Sequence, residues 1–138
     1  NPMRPVVRLS ARILQIRELE ADEPVGYGAT HRMSARGRLA TVAAGYADGF
    51  LRSLSGRGCG FLGGRRVPLV GRVSMDLTIF DVSAADPAAA CPGGLVELLG
   101  EHYGVDEAAA DAGTIGYEIL TALGPRYHRV YHGGPCPC

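Results

Sequence analysis

The sequence predicts a small, mainly β domain, a barrel or sandwich with short helices near its C-terminus. Many short apolar runs follow one another closely, 20 glycines in 138 residues mark the turns between them, and helical patterning appears only after Gly100. The chain has neither an internal repeat nor the strand–helix alternation that builds a parallel cofactor-binding barrel.

Residues 6–17, VVRLSARILQIR, alternate: Val7, Leu9, Ala11 and Ile13 share one face, and Arg8, Ser10 and Arg12 the other. At Leu14 and Ile16 the apolar phase flips, which calls for a bulge or a strand that curves from one face to another. LATVAA at 39–44 is a short strand closed by Gly45. CGFLGGRRVPLVGRV reads as two strands around a two-residue turn at Gly63-Gly64, with Pro68 demoting the second to an edge or bulged position. MDLTIFDVS at 75–83 predicts a strand with Leu77 and Ile79 on one side and Thr78, Phe80 and Val82 on the other, buried on both faces. DPAAACPGG is a loop, and LVELLG at 95–100 another strand. VDEAAADAG then suits a short helix capped by Asp106, TIGYEILTAL a second starting from Thr114, and RYHRVY at 126–131 a return to extended structure.

A chain of 138 residues fits one domain, 1–138, large enough to bury about two-thirds of its unfolded surface. Its 46% hydrophobic and 20% charged residues are those of an ordinary globular domain. No apolar run approaches the roughly 18 residues of a membrane span, and NPMRPVVRLSAR lacks the apolar stretch of a signal peptide, so a cytoplasmic setting is expected. Net charge is zero but uneven: residues 1–72 carry 12 Arg against 5 acids, and residues 73–138 carry 2 Arg against 9. Aromatic residues do not interleave with these arginines as stacking platforms for nucleic acid would. An arginine-lined approach to a small anion, or an interdomain salt-bridge surface, fits better. Cys59, Cys91, Cys136 and Cys138 show no paired CxxC spacing, so reduced thiols rather than a metal site are expected.

All 14 basic residues are arginine. Codon bias in a chain rich in Ala, Gly, Pro and Arg accounts for the missing lysine, but the chemical consequence stands: a Schiff base to an aldehyde cofactor cannot be completed here. Two glycine-flanked tyrosines, Tyr27 in PVGYGATH and Tyr46 in AAGYADGF, precede GRVSMD at 71–76 and TIGYEIL around Tyr117. A tyrosine between glycines can approach a ligand closely, and cations near its phenol would fit it for acid–base work. Each element alone reads as well as a turn tyrosine, a core methionine, a capping aspartate or a surface arginine. The four in fixed order do not.

On these motifs, with GYADGFLRSLSGRG and VPLVGRVSMD the most specific part and the 19-residue interval from Tyr27 to Tyr46 in keeping, the chain from Arg4 to Tyr131 resembles the C-terminal domain of alanine racemase. That resemblance implies a pyridoxal 5'-phosphate enzyme that interconverts L- and D-alanine and supplies D-alanine for the bacterial wall. It implies an N-terminal eight-stranded α/β barrel, absent from this chain, that carries the cofactor and its lysine. It also implies a homodimer in which this domain reaches over the partner's barrel. Tyr27 matches the tyrosine base that faces the lysine across the substrate, because removing and returning a proton on opposite faces takes two bases. Met75 matches the residue whose backbone N–H meets the substrate carboxylate. Tyr46, Asp76 and Arg72 match the substrate entrance, and Tyr117 a tyrosine near the cofactor phosphate that also guards that entrance. The fragment alone is expected to be inactive.

Ser74, where the family often has Cys, and His31, where an aromatic is common, depart from the pattern at positions without a role in the reaction. His102, His128 and His132 fall in no motif. Two other readings stand beside it: the C-terminal domain of a related pyridoxal-phosphate decarboxylase, for which the expected Cys-Glu-Ser-type segment is missing, and a non-catalytic β-module that only binds or dimerises. The latter has no need of Tyr27, Met75, Asp76 and Tyr117 together.

Overall fold

The computed structural model describes residues 4–26, 28 and 31–133, so Tyr27 lies outside the described residues. Its strands are β1 (Leu9–Leu19), β2 (Pro24–Val25), β3 (His31–Arg32), β4 (Gly37–Val42), β5 (Cys59–Leu62), β6 (Arg65–Val70), β7 (Thr78–Asp81) and β8 (Leu95–Leu99). Six of them close into a barrel in the order β1-β4-β7-β6-β5-β8, and β2 and β3 form a separate ribbon. Two helices follow, α1 (Val105–Ala112) and α2 (Gly116–Ala122). The mainly β fold with short C-terminal helices is therefore the one the sequence predicts, and closure decides for the barrel.

β1 makes that closure possible. Leu9, Ala11 and Ile13 point inward, then Leu14 turns out to solvent and the pairing with β4 slips between Ile13 and Gln15. This is the bulge that the phase flip requires. It bends one strand enough to pair with β8 along Leu9–Arg12 and with β4 along Ile13–Leu19. The tight turn between β5 and β6 has Gly63 at φ 57° and Gly64 at φ 77°, both in the left-handed region that a two-residue hairpin demands.

The barrel interior is filled by inward residues of every strand, among them Ile13, Val42, Leu62, Val67, Phe80, Val96 and Leu98. α1 and α2 add Ala108, Ala109, Ala112 and Ile119 to the same core. Tyr103 is wholly buried there, and its hydroxyl donates to Asp111 Oδ2 at 2.7 Å. Burial first, then that bond, raises its pKa above the ordinary tyrosine value. A second, smaller cluster of Leu19, Val25, Met33, Leu39 and Val70 lies apart from the first and anchors the flanks of the β2–β3 ribbon, between which Tyr27 falls in the sequence.

Five local expectations fail. β6 is no edge strand: it lies between β5 and β7, and Pro68 is accommodated because pairing with β7 starts only at Leu69, opposite Phe80. β7 buries Thr78 and Phe80, with Val82 buried just beyond it, but Ile79 is only half-buried and Leu77 just before the strand is exposed, so the outer face packs no full layer. α1 is capped by Gly104 with no side-chain bond, and Asp106 sits inside the first turn, where its charge still favours the helix dipole. α2 starts after Ile115 rather than from Thr114. Residues 126–131 form no strand.

Candidate active-site face

β4 delivers the chain through Ala43 and Ala44 to Gly45, after which Tyr46–Asp48 make a single 3-10 turn. This turn docks on the GRVSMD loop. The N–H of Tyr46 donates to Ser74 O at 3.0 Å and that of Ala47 to Met75 O at 2.9 Å. Gly45 makes the contact possible, because a Cβ there would lie 2.4 Å from both Ser74 O and Met75 O. Behind the loops, Thr78 Oγ1 donates to Ala44 O at 2.6 Å, and Ser74 closes its own turn onto Leu77 O.

The docked loops present Tyr46 (41% exposed) and Met75 (54% exposed) side by side in sequence register. The Met75 carbonyl is used by Ala47, whereas its N–H finds no acceptor among the described residues. The Arg52 guanidinium stands 6.0 Å from the centre of the Tyr46 ring and donates to Val73 O at 3.2 Å, which ties it to the same loop. Asp76 is exposed and accepts from Arg126 Nη1 at 2.9 Å, while Nε of the same guanidinium meets Asp48 Oδ1 at 3.2 Å. Asp48 itself is buried and takes the Gly45 N–H on Oδ2 at 3.0 Å.

The structure thus brings together Tyr46, Met75 and Asp76 of the residues singled out above. Arg72 stands at the start of the loop, exposed and without an ion pair among the described residues. Tyr117 is on the first turn of α2, lining a different groove with Arg4, Val6, Val105 and Ile115, and no hydrogen bond or ion pair among the described residues joins it to the others. Asp48, Arg52 and Arg126 are members that the sequence reading missed. Asp48 and Arg52 were within reach, since both fall inside the quoted GYADGFLRSLSGRG. Arg126 was not, because nothing in RYHRVY marks its partners.

Tyr127, next to Arg126, packs against the core with its hydroxyl buried and unpartnered among the described residues. Burial first, then the Asp48 carboxylate, pushes this phenol up to about 12, with Arg126 acting in the opposite sense. A tyrosine whose folded pKa is raised adds stability in full below about pH 10, the unfolded value, and loses it as pH rises toward about 12. The loss amounts to about 2–3 kcal/mol. Tyr127→Phe is expected to remove this part of the alkaline loss and, by deleting an unpaired hydroxyl, to raise stability at pH 7 by about 1 kcal/mol. Urea midpoints at pH 7 and pH 11 check this, and parallel losses in the two chains would reject it.

No group of three His, Cys, Asp or Glu residues suited to a metal occurs among the described residues, and no helix there is long and apolar enough to cross a membrane. With no lysine, the chain offers no amine to bind an aldehyde cofactor covalently. Its exposed phenol at Tyr117, whose hydroxyl makes no hydrogen bond among the described residues, and the unused Met75 N–H fit only the periphery of such a ligand.

Fold and face define a closed β-barrel domain whose loops present polar side chains on an open surface. Comparison with known proteins gives the family. A family model described as the alanine racemase C-terminal domain matches residues 6–131, and the chain belongs to that family. It is 54% identical over 133 residues to an alanine racemase of Rhodospirillum rubrum, covering 96% of this chain and 36% of that protein. It is 53% identical over 131 residues to a catabolic alanine racemase of Rhizobium johnstonii, covering 95% and 35%. Among solved structures, alanine racemase from Bartonella henselae with covalently bound pyridoxal phosphate superimposes with a TM-score of 0.86 at 40% identity, over 90% of this chain and 34% of that one. The biosynthetic alanine racemase of Pseudomonas aeruginosa gives 0.85 at 41%, over 91% and 35%. The chain therefore spans about a third of the length of these relatives.

Proposed function

We propose that this chain is the C-terminal domain of a cytoplasmic, homodimeric alanine racemase, and that its loop face completes the partner subunit's site for interconverting L- and D-alanine. The observation that carries this is the docking of GYADGF on GRVSMD through the Tyr46 and Ala47 amides, which leaves the Met75 N–H without an acceptor among the described residues, beside an exposed phenol. The rest of the enzyme, an α/β barrel with its lysine, lies outside this chain. Pyridoxal 5'-phosphate, when bound there, supplies the electron sink that makes an α-proton acidic.

This chain's own residues bind, orient and carry protons. The Met75 N–H donates to the substrate carboxylate. Tyr27 takes or returns the α-proton on the face opposite the lysine, since one base on one side cannot serve both. Tyr46, Asp76 and Arg72 narrow the approach to a small zwitterion, and Tyr117 reaches the cofactor phosphate from its own groove. A polar, narrow approach of this kind excludes bulky side chains.

The full-length enzyme is expected to racemise alanine in both directions with pyridoxal phosphate bound. The isolated chain, mixed with pyridoxal phosphate, is expected to stay inactive and to show no imine absorbance. A stoichiometric imine band from the lysine-free chain would sink the division of labour proposed here.

A further inference from the structure

Arg126 is the only side chain of the face with ion pairs to both motif loops among the described residues. Its Nε and Nη1 reach Asp48 in the GYADGF turn and Asp76 in the GRVSMD loop. The tail that carries it is pinned to the same turn, since the Gly124 N–H donates to Asp48 O at 3.1 Å. Asp48 is an almost fully buried carboxylate whose other contact among the described residues is the Gly45 N–H, so without Arg126 it would be a buried charge with a single donor there. Asp76 is exposed and next in sequence to the Met75 N–H, which has no acceptor among the described residues; without Arg126, Asp76 would have no ion pair among them either and would be a free negative charge on the open face.

We propose that Arg126 is a positioning residue of this face: one guanidinium bridges Asp48 and Asp76, locks the two motif loops together, and keeps Asp76 charge-compensated beside Met75. A substrate carboxylate then meets a donor there without meeting an uncompensated anion. Lysine cannot replace it, because a single ammonium point charge lacks the planar fork that serves two carboxylates at once. This inference rests on the reading that the face admits an amino acid.

In the full-length enzyme, Arg126→Gln is expected to raise KM for alanine about ten-fold and to change kcat by less than about two-fold, the size expected for a free like charge several ångströms from the substrate carboxylate. R126Q/D76N deletes that free charge and is expected to return KM to within about three-fold of wild type. R126Q/D48N deletes the buried charge and is expected to restore the thermal midpoint while leaving KM raised. An unchanged KM in R126Q, or a KM repaired by D48N and not by D76N, overturns the positioning role and leaves a purely structural ion pair.

The 138-residue chain supplies a readout that needs no activity. R126Q is expected to speed hydrogen exchange at the Gly45 and Gly124 amides relative to barrel amides such as Ala11, and equal exchange would overturn the coupling. A wild-type enzyme that fails to racemise alanine would reject the functional reading instead, and the exchange result would still decide what Arg126 does.

Discussion

Tyr27→Phe in the full-length enzyme is expected to slow racemisation by about 10²–10⁴-fold, the usual worth of a positioned acid–base group. The ring and its packing remain, and only the proton carrier is lost. The two alanine enantiomers have equal free energy, so kcat/KM must fall alike in both directions and the rates alone cannot say which face Tyr27 serves. Exchange of the α-proton in deuterated water can. A base on the opposite face still exchanges the proton of one enantiomer without inverting it. One enantiomer is therefore expected to keep exchanging, and the other, whose α-proton only Tyr27 faces, to stop. If both enantiomers exchange and racemise at wild-type rates, Tyr27 is a turn residue and the transfer of its role from the family fails.

Gly45→Ala is expected to destabilise the chain by about 3 kcal/mol, the upper end of ordinary overpacking. Its backbone is extended, φ −152° and ψ −171°, so conformation is no obstacle. The obstacle is space: the new methyl would sit 2.4 Å from two backbone oxygens that themselves accept the Tyr46 and Ala47 amides. Neither loop can retreat without giving up those bonds. Gly56→Ala makes a useful control, because a Cβ at φ 68° there meets nothing within 4 Å and bears only the left-handed strain of about 1 kcal/mol. Urea unfolding of both variants separates the cases. Equal midpoints would mean that the two loops are not locked together.

What the sequence made legible is local. The phase flip at Leu14 located the bulge in β1, and two consecutive glycines located the β5–β6 turn, because side-chain alternation and positive φ are properties of neighbouring residues. Pro68 misled for the opposite reason: whether a strand is an edge depends on a partner far along the chain, here β7, whose pairing begins one residue beyond the proline. The half-exposed outer side of β7 depends in the same way on what packs over it. The face divides similarly. Tyr46, Met75 and Asp76 were found through motifs, whereas Arg126 gains its meaning only from two carboxylates that the fold carries to it.

Closure of the barrel also sets where it is weakest. β1 and β4 pair over most of their length, but β5 meets β8 at one register position, Phe61 opposite Glu97. Gly60 beside it permits the close approach, since a Cβ there would come within 2.5 Å of Val96 Cγ1. A fluctuation that parts the cylinder along this seam breaks the fewest ladder bonds and turns a structure without edges into a curved sheet with two. The bared β8 margin would carry Glu97, a charge of the kind that discourages strand-to-strand joining between molecules, whereas Arg65 and Arg66 would lie one strand in from the uncharged β5 margin. The seam is thus a latch guarded against polymerisation on one of its two sides.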